Sequence, residues 1–235
     1  MKLKVIFDKE KANESYHCGW GVSFLINDKI LFDTGENAKY LLENFKALSI
    51  DISAIEKIII SNNFWDHRGG LWQVLAANKS VEIFGCLDFS SDYEDKLQPY
   101  NFKAVCESEV IAKNIYTTGC LESRHKEIQI QEQALLIETE KGISIICGCA
   151  HSGILTFIDK AKDIVGESKI YSVIGGFHLM DSDNRSIRYI LDEIKKRGVE
   201  KIGPSHCTGI EAIDILKQAY KDDFIDIMVG KEIEL

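Results

Sequence analysis

The sequence contains only two prolines and no low-complexity segment, which leaves little room for a disordered linker. No apolar run approaches the roughly 20 residues that a membrane-spanning helix needs, and the N-terminus lacks the apolar core of a secretory signal. A clustered basic stripe is also missing, and the net charge of −9 disfavours a nucleic-acid-binding surface. We therefore expect a protein that binds neither membranes nor nucleic acids.

The seven cysteines form an odd set without the regular spacing of a disulfide framework. Together with the missing secretory signal, this predicts reduced thiols and a cytoplasmic location. The 235 residues, of which 45% are hydrophobic, are enough to bury one large core. We predict a single domain over residues 1–235, and the oligomeric state cannot be predicted from the composition.

Hydrophobic periodicity predicts mainly strands in the first half of the chain and alternating helices and strands in the second. The predicted strands cover residues 3–7, 22–26, 29–33, 57–60, 81–84, 110–116, 134–138, 143–147, 169–174, 201–203 and 226–229. The predicted helices cover residues 38–48, with Asn37 as the N-cap, and residues 71–77, 153–165, 186–197 and 209–220. Residues 86–109 show no clear pattern, and we expect them to border a site and to supply specificity contacts. The order of elements predicts a mixed α/β layered fold.

Four polar loops follow predicted strands, and each contains one histidine flanked by small residues. They are residues 61–70 with His67, residues 147–153 with His151, residues 175–178 with His178, and residues 204–209 with His206. Small neighbours let the backbone approach a ligand or a metal ion closely. Four of the chain's six histidines share this context, which favours a common binding site over isolated core histidines.

The same loops carry a family resemblance. The segments Leu31-Phe32-Asp33-Thr34-Gly35, Gly148-Cys149-Ala150-His151-Ser152-Gly153-Ile154, Gly175-Gly176-Phe177-His178-Leu179 and His206-Cys207-Thr208-Gly209 resemble the metallo-β-lactamase superfamily of metal-dependent hydrolases. Within it they are most similar to the branch of dihydropterin ribofuranosyl-aminobenzene phosphate synthases. The resemblance spans nearly the whole chain and implies a four-layer αββα sandwich. It also implies that Asp33 supports the metal site by hydrogen bonding.

The chain departs from the family in its first metal motif, which reads His-x-His-x-Asp-His elsewhere. Asn62 and Phe64 occupy the positions of the first two histidines, and a phenyl ring cannot coordinate a cation. In the family, the lost pair would join His151 around one ion, whereas Asp66, His67 and His206 would hold the other. The resemblance therefore implies a reduced, mononuclear site with only the second set complete.

The remaining site residues are assigned by the same resemblance. His178 stands near the position of an aspartate that bridges both metals in many members, and we expect it to be a metal ligand or a substrate contact. His151 is expected to bind the surviving ion or the substrate. Asp66 is expected to be a ligand, or alternatively the general base. The expected ion is divalent, with zinc favoured and iron or manganese as alternatives.

These residues predict a metal-dependent hydrolase, or a related transferase, that acts on a small anionic or ester-like substrate through a metal-activated water. The alternative is a non-catalytic relative that binds a small ligand after losing part of its metal site. Arg68 is the basic residue best placed to neutralise a substrate phosphate. For Cys149 and Cys207 we favour a structural role over metal binding.

Overall fold

We analysed the chain as a computed structural model that describes residues 1–166 and 168–235, without the side chain of His125. The strands are β1 (Lys2–Phe7), β2 (Ser23–Ile26), β3 (Ile30–Phe32), β4 (Lys57–Ile59), β5 (Glu82–Cys86), β6 (Asn101–Val105), β7 (Glu109–Ala112), β8 (Ile115–Thr117), β9 (Leu121–His125), β10 (Ile128–Glu132), β11 (Ala134–Thr139), β12 (Gly142–Cys149), β13 (Ile170–Gly176), β14 (Lys201–Ser205) and β15 (Glu232–Glu234). The α-helices are α1 (Ala38–Ala47), α2 (Trp65–Arg68), α3 (Leu71–Ala77), α4 (Leu87–Leu97), α5 (Ile154–Val165), α6 (Asn184–Lys196) and α7 (Ile210–Tyr220). Short 3-10 turns cover Ile52–Ala54, His206–Thr208 and Lys221–Asp223.

Two sheets form the centre of the molecule. The first has seven strands in the order β15-β1-β2-β3-β4-β5-β6, and the second has six in the order β14-β13-β12-β11-β8-β7. Three buried apolar clusters define the layers. One cluster lies between the sheets, one packs α1 and α3 on the first sheet, and one packs α5, α6 and α7 on the second. This is the αββα sandwich that the sequence predicts.

The parallel strands bring the histidine loops together. In the second sheet β12, β13 and β14 run parallel, and in the first sheet β3, β4 and β5 do. Carboxyl ends of parallel strands meet at one edge of a sheet, which is where ligands bind in many α/β folds. The loops after β4, β12, β13 and β14 therefore supply the four histidines to a common pocket.

Most predicted elements are confirmed to within two or three residues at their ends. The Asn37 side chain caps α1 by accepting a hydrogen bond from the Tyr40 N–H group, as predicted. Asn27 and Asp28 both adopt positive φ angles, of 47° and 59°. Two such residues in succession are typical of the tight turn that joins two antiparallel strands, and here they join β2 to β3.

Several predictions were wrong. Residues 86–109 are regular, because α4 packs Phe89 and Leu97 on the first sheet and β6 extends that sheet. Residues 110–116 form parts of two strands that reverse at Asn114, and the β9–β10 hairpin was not predicted. Residues 226–229 contribute only an isolated bridge at Val229, and β15 pairs with β1 instead. β6 and β15 pair with strands that are distant in the chain, which local periodicity does not report. The β7–β8 and β9–β10 pairs are local hairpins, and β7, β8 and β9 are short strands without a clear apolar alternation.

No helix in residues 1–166 or 168–235 is both long and apolar enough to cross a membrane.

Candidate metal centre

A pocket of about 500 Å³ opens where the four loops meet. Its lining residues come from the N-terminal half (Trp20, Phe64, Trp65, Asp66, His67) and from the C-terminal half (Lys126, Cys149, His151, His178, Met180, Asp181, His206, Cys207). All five predicted site residues are therefore brought together. The pocket combines imidazoles, thiols and carboxylates, which is the donor chemistry that transition-metal ions prefer in proteins.

His67 is held rigidly from behind by Asp33. The His67 Nδ1 atom lies 2.7 Å from Asp33 Oδ2, and Asp33 also accepts hydrogen bonds from the backbone N–H and the hydroxyl of Ser61. The carboxylate thus holds a proton on Nδ1 and turns Nε2 towards the pocket, as a carboxylate does behind a metal-binding histidine. Burial opposes protonation of His67, but the carboxylates of Asp33 and Asp66 raise its pKa to about 9. Asp33 therefore plays the supporting part that the resemblance implies.

Asp66 lies between two imidazoles. Its Oδ2 atom is 3.7 Å from His67 Nε2 and 3.3 Å from His206 Nε2. Burial opposes ionisation of Asp66, but the His67 and His206 rings beside it lower its pKa to about 2. The carboxylate is therefore charged at neutral pH and faces the positive charge of the neighbouring imidazolium.

The Gly21 N–H group donates a hydrogen bond to Nδ1 of His206 across 3.1 Å. A neutral His206 ring therefore carries its proton on Nε2, facing Asp66. A cation that binds at Nε2 must displace this proton, or the ring must turn away from Gly21.

The donor set fits a small divalent ion. His67 Nε2 and His206 Nε2 are fully buried, and among the described residues neither makes a well-aligned hydrogen bond, although Asp66 Oδ2 lies 3.7 and 3.3 Å from them. Buried polar atoms without a partner are rare, because each costs about 1–3 kcal/mol. Around tetrahedral zinc, neighbouring nitrogen and oxygen ligands lie about 3.4 Å apart, given bonds of roughly 2.1 Å. The separations of 3.3 and 3.7 Å from Asp66 match that spacing closely.

A second group of donors lines the same pocket. Donor atoms of Cys149, His151 and His178 all lie within 4.8 Å of one another, and Cys149 has the same relation to His67 and His206. The Cys149 Sγ atom is 3.3 Å from His178 Nδ1. The rings of His151 and His178 have centroids 4.5 Å apart.

Glu132 orients His151, a role that the sequence does not indicate. Its buried carboxylate accepts hydrogen bonds from the backbone N–H groups of His151 and Ser152, at 3.1 and 2.6 Å. It also lies 3.0 Å from His151 Nδ1, so it leaves His151 Nε2 on the pocket side. Nothing in the alternating sequence of β10 distinguishes Glu132 from exposed glutamates. Its place depends on a bridge with Asn62, 70 residues earlier in the chain.

Cys149 and Cys207 lie in direct contact, with their sulfur atoms 2.6 Å apart. Burial and the hydrogen bond to Cys207 raise the pKa of Cys149 well above its usual range. Burial also opposes ionisation of Cys207, but the Cys149 thiol and His178 lower the pKa of Cys207 well below its usual range. Cys207 is therefore the more acidic thiol of the pair.

Asn62 and Phe64 supply no donor to the pocket. The Asn62 side chain bonds locally, accepting from the Phe64 N–H group at 3.0 Å and donating to Ser61 Oγ at 3.1 Å. The Phe64 ring packs against His151, with centroids 5.2 Å apart. Asn62 and Phe64 therefore do not act as ligands. Asn62 stabilises its own loop, and Phe64 packs on a pocket residue.

Two sequence-based expectations about the surroundings of the pocket were wrong. In the described part of the chain, residues 86–109 do not line the pocket, whereas Trp20 and Lys126 do. Arg68 is turned away from the pocket. It donates to the Asn63 carbonyl at 2.8 Å and stacks over the Tyr93 ring.

Gly148 is needed behind His67. A Cβ atom at this position would lie 2.6 Å from Asp33 Oδ2 and 2.9 Å from His67 Nδ1, closer than carbon atoms approach such groups. We expect Gly148→Ala to separate Asp33 from His67 and to weaken metal binding about 10–100-fold, the usual cost of losing the partner of a ligating histidine. Isothermal titration of the metal-free protein with Zn²⁺ measures this. Gly198→Asn is the control, because a Cβ there meets nothing within 4 Å and asparagine tolerates the positive φ angle of a residue that follows a helix C-cap. Equal affinity in the Gly148 variant and the wild type would contradict the prediction.

The carboxylate of Glu132 also contributes to stability. In Glu132→Gln, one carboxylate oxygen becomes an amide group that faces N–H donors, so at least one of the three bonds is lost. We expect the free energy of unfolding to fall by about 1–3 kcal/mol, as for a buried group left without a partner. Urea denaturation measures the change, and Glu127→Gln on the exposed part of the same hairpin should change it by less than about 0.5 kcal/mol. Similar values for the two variants would show that Glu132 does not hold the His151 loop.

Comparison with known proteins agrees with this geometry. No protein-family model matches the chain. It is 33% identical to the 7,8-dihydropterin-6-methyl-4-(β-D-ribofuranosyl)-aminobenzene-5′-phosphate synthase of Methanocaldococcus jannaschii, over 94% of this chain and 92% of the relative. It is 29% identical to the uncharacterized protein MJ0448 of the same organism, over 98% of this chain and 99% of that protein.

Solved structures show the same fold. Tm1679, described as a metal-dependent hydrolase of the β-lactamase superfamily, superposes with a TM-score of 0.84 at 27% identity, over 100% of this chain and 99% of that one. The metallo-β-lactamase fold protein YhfI from Bacillus subtilis superposes with a TM-score of 0.70 at 17% identity, over 100% and 98%. The chain therefore belongs to the metallo-β-lactamase superfamily of metal-dependent hydrolases, in the branch that contains the dihydropterin ribofuranosyl-aminobenzene phosphate synthase, and it has a degenerate first metal motif.

Proposed function

We propose that the protein is a metal-dependent hydrolase, or a related transferase, with Asp66, His67 and His206 as ligands of a divalent cation. The observation that carries the proposal is the pair of fully buried imidazole nitrogens, His67 Nε2 and His206 Nε2, on either side of an ionised carboxylate. Both face a pocket large enough for a small molecule. Three protein ligands leave an open coordination position, which catalysis requires.

When bound there, a divalent cation would supply Lewis acidity and lower the pKa of a coordinated water from 15.7 to roughly 7. The side chains set the conditions for this chemistry. Asp33 fixes the ring of His67, and burial of both imidazoles excludes competing water from behind the site. Asp66 stays ionised at neutral pH, so it can bind the cation or accept a proton from a water molecule.

The pocket favours a small anionic or ester-like substrate. Lys126 places a cation on its wall, and Trp20 and Trp65 offer ring faces at its sides. The name of the M. jannaschii relative describes a product that carries a phosphate, which agrees with an anionic substrate. The molecule would be taken from solution in the cytoplasm, without a membrane or nucleic-acid partner, in keeping with the acidic net charge.

Zinc is the cation that we favour, with iron or manganese as alternatives. Imidazole, carboxylate and thiolate groups together are donors for zinc, whereas magnesium and calcium prefer oxygen ligands only. Reduced thiols within the same pocket strengthen this preference.

A second candidate function is binding without turnover. It is favoured by the replacement of two ligand positions by Asn62 and Phe64, of which Phe64 packs on His151. Such a protein would keep the pocket as a receptor for the small molecule and would hold no cation between Asp66, His67 and His206.

Metal analysis of the purified protein separates the two functions. The enzyme is expected to hold about one zinc, iron or manganese ion per chain at the site of Asp66, His67 and His206, and to hydrolyse a panel of phosphodiester, lactone and thioester substrates. The control is the His206→Ala variant, which should lose that ion and the activity together. A metal content well below one per chain after supplementation with all three metals would leave only the binding function.

A further inference from the structure

The pocket contains a second group of donors, in which Cys149 joins His151 and His178 after the loss of two ligands of the superfamily motif. The sequence predicts one ion, because Asn62 and Phe64 replace two ligands, and the structure confirms that neither side chain offers a donor to the pocket. The donor atoms of this group, which belong to Cys149, His151 and His178, lie within 4.8 Å of one another. They come from the ends of β12 and β13, which are neighbours in the second sheet.

The spacing of these donors suits a metal ion. With zinc–sulfur and zinc–nitrogen bonds of about 2.3 and 2.1 Å, the two ligand atoms of a tetrahedral site lie roughly 3.6 Å apart. Cys149 Sγ and His178 Nδ1 are 3.3 Å apart, so a small movement brings both into range of one ion. His151 is the third donor of this group, and its ring is tilted by 51° to the ring of His178.

His151 already has the support that metal ligands have. Glu132 lies beside its Nδ1 atom and accepts hydrogen bonds from the backbone N–H groups of His151 and Ser152, so that the ring lines the pocket through its Nε2 side. A buried carboxylate behind a histidine increases the basicity of the outer nitrogen and fixes the ring. Asp33 does the same for His67 in the first donor set. Each of the two donor groups therefore contains one histidine with a carboxylate behind its Nδ1 atom.

The backbone of His178 gives independent evidence. His178 adopts a φ angle of 51°, and His206 adopts 49°. A left-handed backbone conformation is unfavourable for a non-glycine residue, and such residues are often found at functional sites. The strained turn after β13 directs an imidazole into the pocket, where it lines the cavity beside Cys149.

From these observations we propose a second divalent-cation site whose ligands are the thiolate of Cys149 and the imidazoles of His151 and His178. Sulfur and nitrogen donors select zinc or cobalt over magnesium and calcium. Binding replaces the Cys149 proton, which leaves to solvent as the metal–sulfur bond forms. The inference rests on the proposed function for the first cation and replaces the mononuclear site by two neighbouring cations with unequal ligand sets.

Titration of the metal-free, fully reduced protein with Co²⁺ tests the proposal. Cobalt bound to a thiolate shows a sulfur-to-metal charge-transfer band in the near ultraviolet, and cobalt bound to imidazole and carboxylate alone does not. The wild type is expected to bind two ions per chain by mass spectrometry and to show the band. Cys149→Ser is expected to bind one ion without the band, whereas Cys207→Ser, the matched control, keeps both ions and the band.

His206→Ala separates this inference from the proposed function. We expect it to lose the first ion and to retain the thiolate band of the second. One ion per wild-type chain without a thiolate band, removed by His206→Ala, would overturn the second site and leave the proposed function standing. One ion with the band, unaffected by His206→Ala, would overturn the first site instead.

Two further outcomes decide the identity of the sulfur ligand. A band lost in Cys207→Ser and kept in Cys149→Ser would overturn the assignment to Cys149. If Cys149→Ser does not fold, as judged by circular dichroism, X-ray absorption of the zinc-loaded wild type gives the answer without a variant. A sulfur scatterer at about 2.3 Å supports the proposal, and its absence overturns it.

Discussion

Replacement of His67 by glutamine is expected to lower the metal content by one ion per chain and to abolish hydrolysis. The Nε2 atom of His67 is a buried donor with no other partner among the described residues, so its removal leaves Asp66 and His206 as the only ligands of that ion. Loss of a direct ligand should weaken binding by more than the roughly 10–100-fold that loss of a supporting partner costs. Equilibrium dialysis against Zn²⁺ followed by elemental analysis measures the change.

The same substitution also affects folding. In the metal-free protein the protonated His67 ring neutralises Asp33 and Asp66, and removal of one partner of such a buried pair costs about 3–5 kcal/mol. Metal binding should therefore be measured well below the unfolding transition of the variant. His17→Gln is the control, because His17 pairs with Glu43 on the surface. A folded His67→Gln protein with unchanged metal content would disprove the assignment of His67 as a ligand.

Phe157→Ala is expected to have a large effect on stability without touching the pocket. Phe157 lies on α5 within the cluster that packs three helices on the second sheet, and it is fully buried. Truncation of a buried phenylalanine removes its transfer free energy and leaves a cavity, which together cost about 3–5 kcal/mol. Whole domains have only about 5–15 kcal/mol of stability, so this variant should unfold at a much lower urea concentration.

Urea denaturation followed by circular dichroism measures this loss. The matched control is Tyr189→Ala on the neighbouring helix α6, where the aromatic side chain is exposed and truncation should change stability by less than about 0.5 kcal/mol. A loss below about 1 kcal/mol for Phe157→Ala would mean that this layer does not behave as a close-packed core.

The elements with strong local patterns were predictable. The predicted α3 has the same ends in the structure, and α1 begins after its predicted cap. In both helices the periodic apolar residues coincide with the face that packs on the first sheet. The region of α4 and β6 could not be recognised, because α4 has a low density of apolar residues and contains a non-helical residue at Tyr93.

The residues of the site were predictable from the sequence, but their division into two donor groups was not. The positions of Asp66, His67, His151, His178 and His206 at strand ends predict that they meet, and they do line one pocket. The roles of Glu132 and Cys149 were not predictable. Glu132 acts through hydrogen bonds to residues 19 and 20 positions later, and Cys149 through contacts with side chains 29 and 58 positions away.

The amino-acid sequence by itself determined the layered α/β fold, the family, and the absence of donors at Asn62 and Phe64. Apolar periodicity and the chemical identity of side chains are local properties, so they can be read without coordinates. Only the tertiary structure decided that Asp33 and Glu132 each stand behind an imidazole and that Cys149 lies between the two groups of histidines. These relations depend on how strands from two sheets end at a common edge, and strand pairing over long chain separations is not encoded in any single segment.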